Sequence, residues 1–104
     1  MEKRDSNRKR LRLLIHAQPG DIRAYCGDIS STGLFLVSTK IHKPGTRIRL
    51  EISDKEGNVS LGVGVVKWAK RVPSTLMRFS KGGMGIEFTW LSPEMKRMID
   101  DLVG

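Results

Sequence analysis

"RIRLEIS", residues 47–53, alternates charged and apolar side chains from Arg47 to Ile52. Its apolar members are Ile48, Leu50 and Ile52, and a charged residue stands between each pair. A period of two is that of a β-strand with one face in a core and the other in water. The stretch therefore predicts a strand and, with its neighbours, an all-β fold.

The same pattern recurs on both sides of this strand. Alternating or short apolar runs predict five more strands, at residues 10–17, 22–26, 34–38, 59–71 and 84–90. Turn sequences such as "QPGD", "KPGT" and "DKEGN" separate several of them. Strands of this number and length, without long helical crossovers, are expected to wrap into a small antiparallel barrel or a tight sandwich.

The strand at residues 59–71 has an irregular pattern. Its alternating apolar residues are Val59, Leu61, Val63 and Val65, and the alternation shifts at Val66 and Trp68. A bulge or sharp bend near Gly62 and Gly64 would produce this shift.

The last stretch changes from a strand period to a helical one. Its apolar residues, Met95, Met98, Ile99, Leu102 and Val103, recur at helical spacing. Ser92 is a good N-cap and Pro93 suits the first helical position. The sequence thus predicts six antiparallel strands, in a barrel or a tight sandwich, with a short C-terminal helix that covers one open end.

Composition indicates one soluble domain. The chain has 104 residues, of which 38% are hydrophobic and 29% charged. It contains no run of about 18 apolar residues, and its first residues lack the apolar core of a signal peptide. Cys26 is the only cysteine, which excludes an internal disulfide. We therefore expect a cytoplasmic protein without membrane insertion.

The net charge of +8 is concentrated at the N-terminus. Residues 1–12 contain six basic and two acidic side chains. Such a run is either a solvated tail or a site for an anion, and charge alone leaves both open. We divide the chain into a flexible basic arm, residues 1–12, and a barrel with its helix, residues 13–104.

The sequence does not indicate an enzyme. His16, His42 and Cys26 do not have the spacing of a zinc site, and no G-x-S-x-G motif is present. The glycine-rich pieces "LGVGVVK" and "KGGMG" match neither the dinucleotide-binding pattern nor the P-loop. We expect a binding module without catalytic residues, metal or cofactor.

Two short motifs suggest its ligand. "RDSNR" supplies Arg4 and Arg8, whose guanidinium groups can grip phosphate, pair with guanine or stack on a purine. "DISSTG" supplies Asp28, Ser30 and Gly33. An ionised Asp28 accepts hydrogen bonds, so it suits the donor edge of guanine better than a phosphate. Alternatively, "DISSTG" is a plain turn whose side chains bond their own backbone.

In this order the motifs resemble those of the PilZ domain family, bacterial receptors for cyclic di-GMP. The family pattern is R-x-x-x-R followed by D/N-x-S-x-x-G, and both are present without departure. "GVVKWAKR" and "GMGIEFTWLSPEMKRMIDDLV" resemble later parts of the family, so the resemblance covers nearly the whole chain. Arg8 and Arg12 also have the spacing of the first motif. We prefer Arg4 and Arg8, because Arg12 falls within the alternation of the first strand.

The resemblance implies an all-β fold, a six-stranded antiparallel barrel with a short C-terminal helix, and it also implies a mechanism. The arginine segment would wrap around cyclic di-GMP, while the second motif grips a guanine. The ligand would be one molecule or a stacked pair. Lys3 precedes the first arginine and favours the pair, because a cation suits the doubled phosphate charge. Lys9 and Trp68 are further candidates for ligand contact, and Trp68 is equally well explained as a packing residue. Ordering of the arm would signal to an unidentified downstream protein.

Two other functions fit a small basic barrel. A nucleic-acid binder would expose aromatic side chains for base stacking. We expect Phe88 and Trp90 on the inward face of the sixth strand, which leaves too few aromatics for that purpose. The second alternative is a PilZ-like module that binds only proteins, and the presence of both motifs disfavours it.

Overall fold

The computed structural model describes residues 13–103 of the chain. Six antiparallel strands close into a barrel in the order β1-β2-β3-β6-β5-β4, which confirms the predicted fold class. The elements are β1 (Leu14–Gln18), β2 (Ile22–Ile29), β3 (Gly33–Val37), β4 (Arg47–Ser53), β5 (Val59–Lys70), a 3₁₀ turn (Ser74–Leu76), β6 (Gly83–Leu91) and α1 (Pro93–Val103).

The core lies inside the barrel. Ile48, Leu50 and Ile52 of β4 are fully buried, as their alternation predicts. Their cluster includes inward residues from all six strands and Met95 and Ile99 from α1. The helix packs against β5 and β6. Burial of these aliphatic side chains is the main favourable term for the fold.

The helix begins as predicted. The Ser92 hydroxyl accepts a hydrogen bond from the Met95 backbone N–H at 3.1 Å, and the Ser92 carbonyl accepts from the Lys96 N–H at 3.0 Å. Ser92 is therefore the N-cap, Pro93 follows as the first helical residue, and Glu94 lies in the first turn, where a negative charge is favourable. Within residues 13–103, no helix is both long and apolar enough to span a bilayer.

The alternating apolar residues of β5 lie outside the barrel. Val59 and Leu61 are exposed, whereas Ser60, Gly62 and Gly64 face inward. The inner side has no room for larger residues: a Cβ on Gly64 would lie 2.6 Å from Ile86 Cγ2. Glycine occupies positions 62 and 64 because residues of β6 and the helix already fill the space inside them.

Trp90 also lies outside, contrary to the inward position expected from alternation. Val63 pairs with Trp90 and Gly64 pairs with Phe88, so Thr89 is an extra residue in β6. This bulge reverses the phase of the strand after Phe88. Phe88 remains partly buried against the core, and Trp90 is 53% exposed. The pairing of β5 therefore does shift at Gly64, but the extra residue belongs to β6, and the bulge of β5 itself lies at Lys67 rather than near Gly62 and Gly64.

Candidate functional site

A groove of about 410 Å³ lies on the outer wall of the barrel, across β2, β3, β6 and β5. Its lining combines two carboxylates, one ammonium group, two hydroxyls, two aromatic rings and the backbone of two glycines. The lining residues are Asp28, Ile29, Ser30, Thr32, Gly33, Leu34, Phe35, Lys67, Trp68, Gly85, Ile86 and Glu87.

A bulge at Gly27 places Asp28 in the groove. Cys26 pairs with Leu36 and Asp28 pairs with Phe35, so Gly27 is the extra residue of β2. If the strand alternated regularly through Gly27, with no bulge, the Asp28 side chain would follow those of Ala24 and Cys26 to the inward face and lie in the core. A Cβ on Gly27 would lie 2.8 Å from the Phe35 ring, so only glycine fits this bulge without displacing the ring.

The Ser30 hydroxyl fixes the loop between β2 and β3. It accepts a hydrogen bond from the Thr32 N–H at 3.2 Å and lies 3.1 Å from the Thr32 hydroxyl. It also donates to the Gly33 carbonyl at 3.4 Å. The Thr32 carbonyl accepts from the Phe88 N–H at 2.8 Å, which ties the loop to β6. Ser30 therefore acts as the turn interpretation expects, as a residue that shapes the loop.

Gly33 allows a close approach between β3 and β6. A Cβ at this position would lie 2.2 Å from the Ile86 carbonyl oxygen, far inside van der Waals contact. A glycine is therefore needed here for close backbone approach.

A second bulge places Trp68 beside these residues. Val66 pairs with Ile86 and Trp68 pairs with Gly85, which makes Lys67 the extra residue of β5. The Trp68 indole stacks on Phe35 with ring centroids 5.2 Å apart and an interplanar angle of 16°. It also covers Gly85, where a Cβ would collide with the indole nitrogen. Trp68 remains 50% exposed and offers an aromatic surface to a ligand.

The groove itself carries more negative than positive charge. Lys67 Nζ lies 3.4 Å from Glu87 Oε1, and both side chains are more than half exposed, so the pair contributes little to stability. Asp28 adds a second carboxylate. A doubly charged anion would therefore need cations from outside this groove.

The structure brings Asp28, Ser30, Gly33 and Trp68 together in this single groove. The other sequence-derived candidates, Lys3, Arg4, Arg8 and Lys9, lie outside the described residues, as does the proposed arm. The Leu13 carbonyl accepts a hydrogen bond from the Cys26 N–H at 3.2 Å. The chain thus enters the barrel two residues from Asp28 on the neighbouring strand. Arg8 precedes Leu13 by five residues, a span of up to about 17 Å when extended.

Sequence reasoning missed Thr32, Phe35, Lys67 and Glu87 as groove residues. Phe35 carried a usable signal, because it stands between the inward residues Leu34 and Leu36 and must face outward. No such signal exists in the sequence for Lys67 and Glu87, since the contact between their side chains depends on the bulge in β5.

The two histidines lie away from the groove. His16 Nε2 hydrogen bonds to the Asp21 carboxylate, which lowers the pKa of that acid. His42 Nε2 donates to the Pro19 carbonyl at 2.8 Å. Residues 13–103 contain no cluster of His, Cys, Asp and Glu that could hold a metal ion. Burial, the largest effect, raises the pKa of Cys26 to about 11, so its thiol is protonated at neutral pH.

The protein is thus a closed β-barrel module with an open groove of polar and aromatic residues on its wall. The family model for the PilZ domain matches residues 2–104 and so includes both sequence motifs. The chain belongs to the PilZ domain family, whose members are ligand-binding adaptors and cyclic di-GMP receptors. Comparison with curated proteins and with solved structures gives no match.

Proposed function

We propose that this PilZ domain is a cyclic di-GMP receptor that closes its arginine segment over the groove and signals to a partner protein. One observation carries the proposal: Asp28 and the Trp68–Phe35 stack share a groove that begins two residues from where the N-terminal segment joins the barrel. The groove supplies groups for a flat base, and the arginine motif supplies groups for its phosphates.

Each groove residue has a role that follows from its chemistry. The Asp28 carboxylate accepts hydrogen bonds from the N1–H and N2–H₂ edge of a guanine. Trp68 gives the base a stacking surface, a contact of about 1–3 kcal/mol per base in other nucleotide binders. Ser30 and Gly33 hold the loop and the strand in place. They act on the ligand through the geometry of the groove.

Arg4 and Arg8 supply the cations that the groove lacks. Two phosphates bring two negative charges next to Asp28 and Glu87, which a single Lys67 cannot balance. Arginine binds phosphate with two parallel hydrogen bonds and also stacks on purines. Lys3 and Lys9 add positive charge beside them, and Lys3 favours a stacked pair of ligands.

The signal would be the ordering of residues 1–12. After Met1 the first nine residues contain no apolar side chain, so by themselves they bury little surface. Ligand contacts would fix this segment against the groove, at an entropic cost of about 1–2 kcal/mol per ordered residue. A downstream protein would then recognise the closed form. The proposed site is in the cytoplasm and requires no metal or other cofactor.

Calorimetric titration with cyclic di-GMP, GTP and single-stranded RNA tests the proposal. We expect cyclic di-GMP to bind tightest at physiological salt. Trp68→Ala should weaken that binding roughly tenfold or more, because it removes the stacking surface. Trp90→Ala is the matched control, since Trp90 is equally exposed but lies outside the groove, and it should bind like the unaltered protein.

Tighter binding of RNA would contradict the proposal and favour the nucleic-acid alternative. The number of exposed aromatic side chains does not argue against that alternative, because Trp90, which the sequence predicted to face inward, is exposed. Its weakness lies in arrangement: among residues 13–103 the one stacked aromatic pair is Phe35 with Trp68. One pair suits one or two bases better than a strand of nucleotides.

A further inference from the structure

The loop between β5 and β6 exposes apolar side chains in a basic surrounding. Phe79 is 74% exposed and Leu76 is 49% exposed, the first being the most exposed large apolar side chain among residues 13–103. Residues 70–82 also contain four basic side chains and no acidic ones. The basic residues are Lys70, Arg71, Arg78 and Lys81, and all four are exposed.

This loop has a defined conformation. The Leu76 carbonyl accepts hydrogen bonds from the Phe79 N–H at 2.9 Å and the Ser80 N–H at 3.1 Å. Val72 is buried and anchors one side of the loop, and the Gly82 carbonyl accepts from the Ser38 N–H at 3.1 Å on the other side. Phe79 is therefore held in water by an ordered backbone, although burial of such a ring is favourable.

Two of the basic side chains are held near the exposed ring. The Arg78 guanidinium carbon lies 5.2 Å from the centroid of Phe79, and Lys70 Nζ donates to the hydroxyl of the next residue, Ser80, at 3.0 Å. An exposed aromatic and an exposed aliphatic side chain on a basic loop match the boundary between the headgroups and acyl chains of an anionic bilayer.

We infer that the loop at residues 70–82 is a docking site for anionic lipid membranes. Contrary to the sequence-based expectation of no membrane insertion, Phe79 and Leu76 enter the bilayer surface, and the exposed basic side chains of the loop contact the anionic headgroups. This inference does not depend on dinucleotide binding, and it concerns a surface outside the groove.

Size and charge favour a membrane over the other possible occupants. A specific protein interface usually buries about 800 Å² on each partner, which two exposed apolar side chains on one short loop do not supply. A membrane requires no matching shape. The basic N-terminal segment has the same sign of charge as the loop, so it does not provide an attractive cover.

Co-sedimentation with vesicles tests the inference. The vesicles contain phosphatidylcholine alone or with about 30% phosphatidylserine, at about 0.15 M salt. We expect binding only to the anionic vesicles. Phe79→Ala and Arg78→Glu should each weaken it about tenfold, the first by loss of apolar insertion and the second by charge reversal.

Matched controls separate this site from the general positive charge of the protein. Trp90→Ala removes a larger exposed aromatic, opposite Val63 and seven residues from Lys70 along β5. Arg49→Glu makes the same charge change as Arg78→Glu on the exposed side of β4. Both controls should bind within about threefold of the unaltered protein.

Absence of binding to anionic vesicles would overturn the inference. It would also be overturned if Arg49→Glu weakened binding as much as Arg78→Glu, since attraction would then be diffuse. An unchanged affinity in Phe79→Ala would show that no apolar insertion occurs and would overturn it as well. Thermal unfolding of each variant verifies that all four substitutions, which alter exposed side chains, leave the barrel folded.

Discussion

Asp28 is the residue at which electrostatics and recognition make opposite predictions. It is a carboxylate at the centre of a site proposed for an anion. If only charge mattered, its removal would strengthen binding. If it accepts hydrogen bonds from guanine, its removal leaves two base donors without a partner and weakens binding.

We predict that Asp28→Ala and Arg8→Ala both weaken cyclic di-GMP binding. Arg8→Ala removes a charge-assisted contact of about 1.5–3 kcal/mol, or roughly ten- to a hundredfold in affinity. Glu56→Ala is the control for charge, because Glu56 lies in the turn between β4 and β5, outside the groove. Calorimetry measures all three variants. Tighter binding by Asp28→Ala would rule out guanine recognition by this carboxylate.

Bulges in two strands determine which side chains reach the groove. Gly27 in β2 and Lys67 in β5 are extra residues, and each turns the residue after it, Asp28 or Trp68, to the outside. The groove is thus built by two interruptions of regular pairing in an otherwise regular barrel.

Gly33 sets the close approach of β3 and β6 beside the groove. Gly33→Ala would place a Cβ against the Ile86 carbonyl oxygen. The strands β3 and β6 would then have to move apart beside the groove. We expect a loss of about 1–3 kcal/mol of unfolding free energy and weaker ligand binding. Chemical denaturation and calorimetry measure the two effects.

Gly57→Ala is the matched control. Gly57 has open space around it but a positive φ of 87°, so alanine there also costs stability, about 1–2 kcal/mol. Its position in a remote turn should leave affinity unchanged. Equal affinities for the two variants would show that the β3–β6 approach does not shape the site.

Alternation of apolar residues was sufficient to predict the strands, the helix and most of the core. It worked for β4 because that strand is regular and each inward side chain is large. It failed for β5 and for Trp90, since the core there uses glycines and a bulge at Thr89 reverses the phase. The motif residues of the groove were proposed from their chemistry together with the family resemblance. Lys67 and Glu87 were not, because their contact depends on register between strands distant in sequence.

For the whole molecule, the buried thiol of Cys26 links stability to pH. Burial raises its pKa to about 11, from the 9.0 of an unperturbed thiol. The folded state therefore holds this proton more tightly than the unfolded state. The stabilisation that results from this difference is fully present below about pH 9 and is lost as the pH rises through 11.

We predict that the free energy of unfolding falls by about 2–3 kcal/mol through this group as the pH passes from 9 to above 11. Denaturant unfolding across this range measures the fall. Cys26→Ala lacks the titrating group, so its curve should be flatter than that of the unaltered protein. Parallel curves for the two proteins would show that Cys26 does not contribute.

The proposed site joins the barrel wall and the N-terminal segment. An NMR titration with cyclic di-GMP tests this most directly, because it follows both parts in one sample. We predict that amide signals of residues 4–8, 28–35, 67–68 and 85–87 shift together, while those of β4, across the barrel, do not. Backbone relaxation should show residues 4–8 becoming as rigid as the strands only when ligand is bound. Shifts confined to residues 1–12, or a segment already rigid without ligand, would contradict the account.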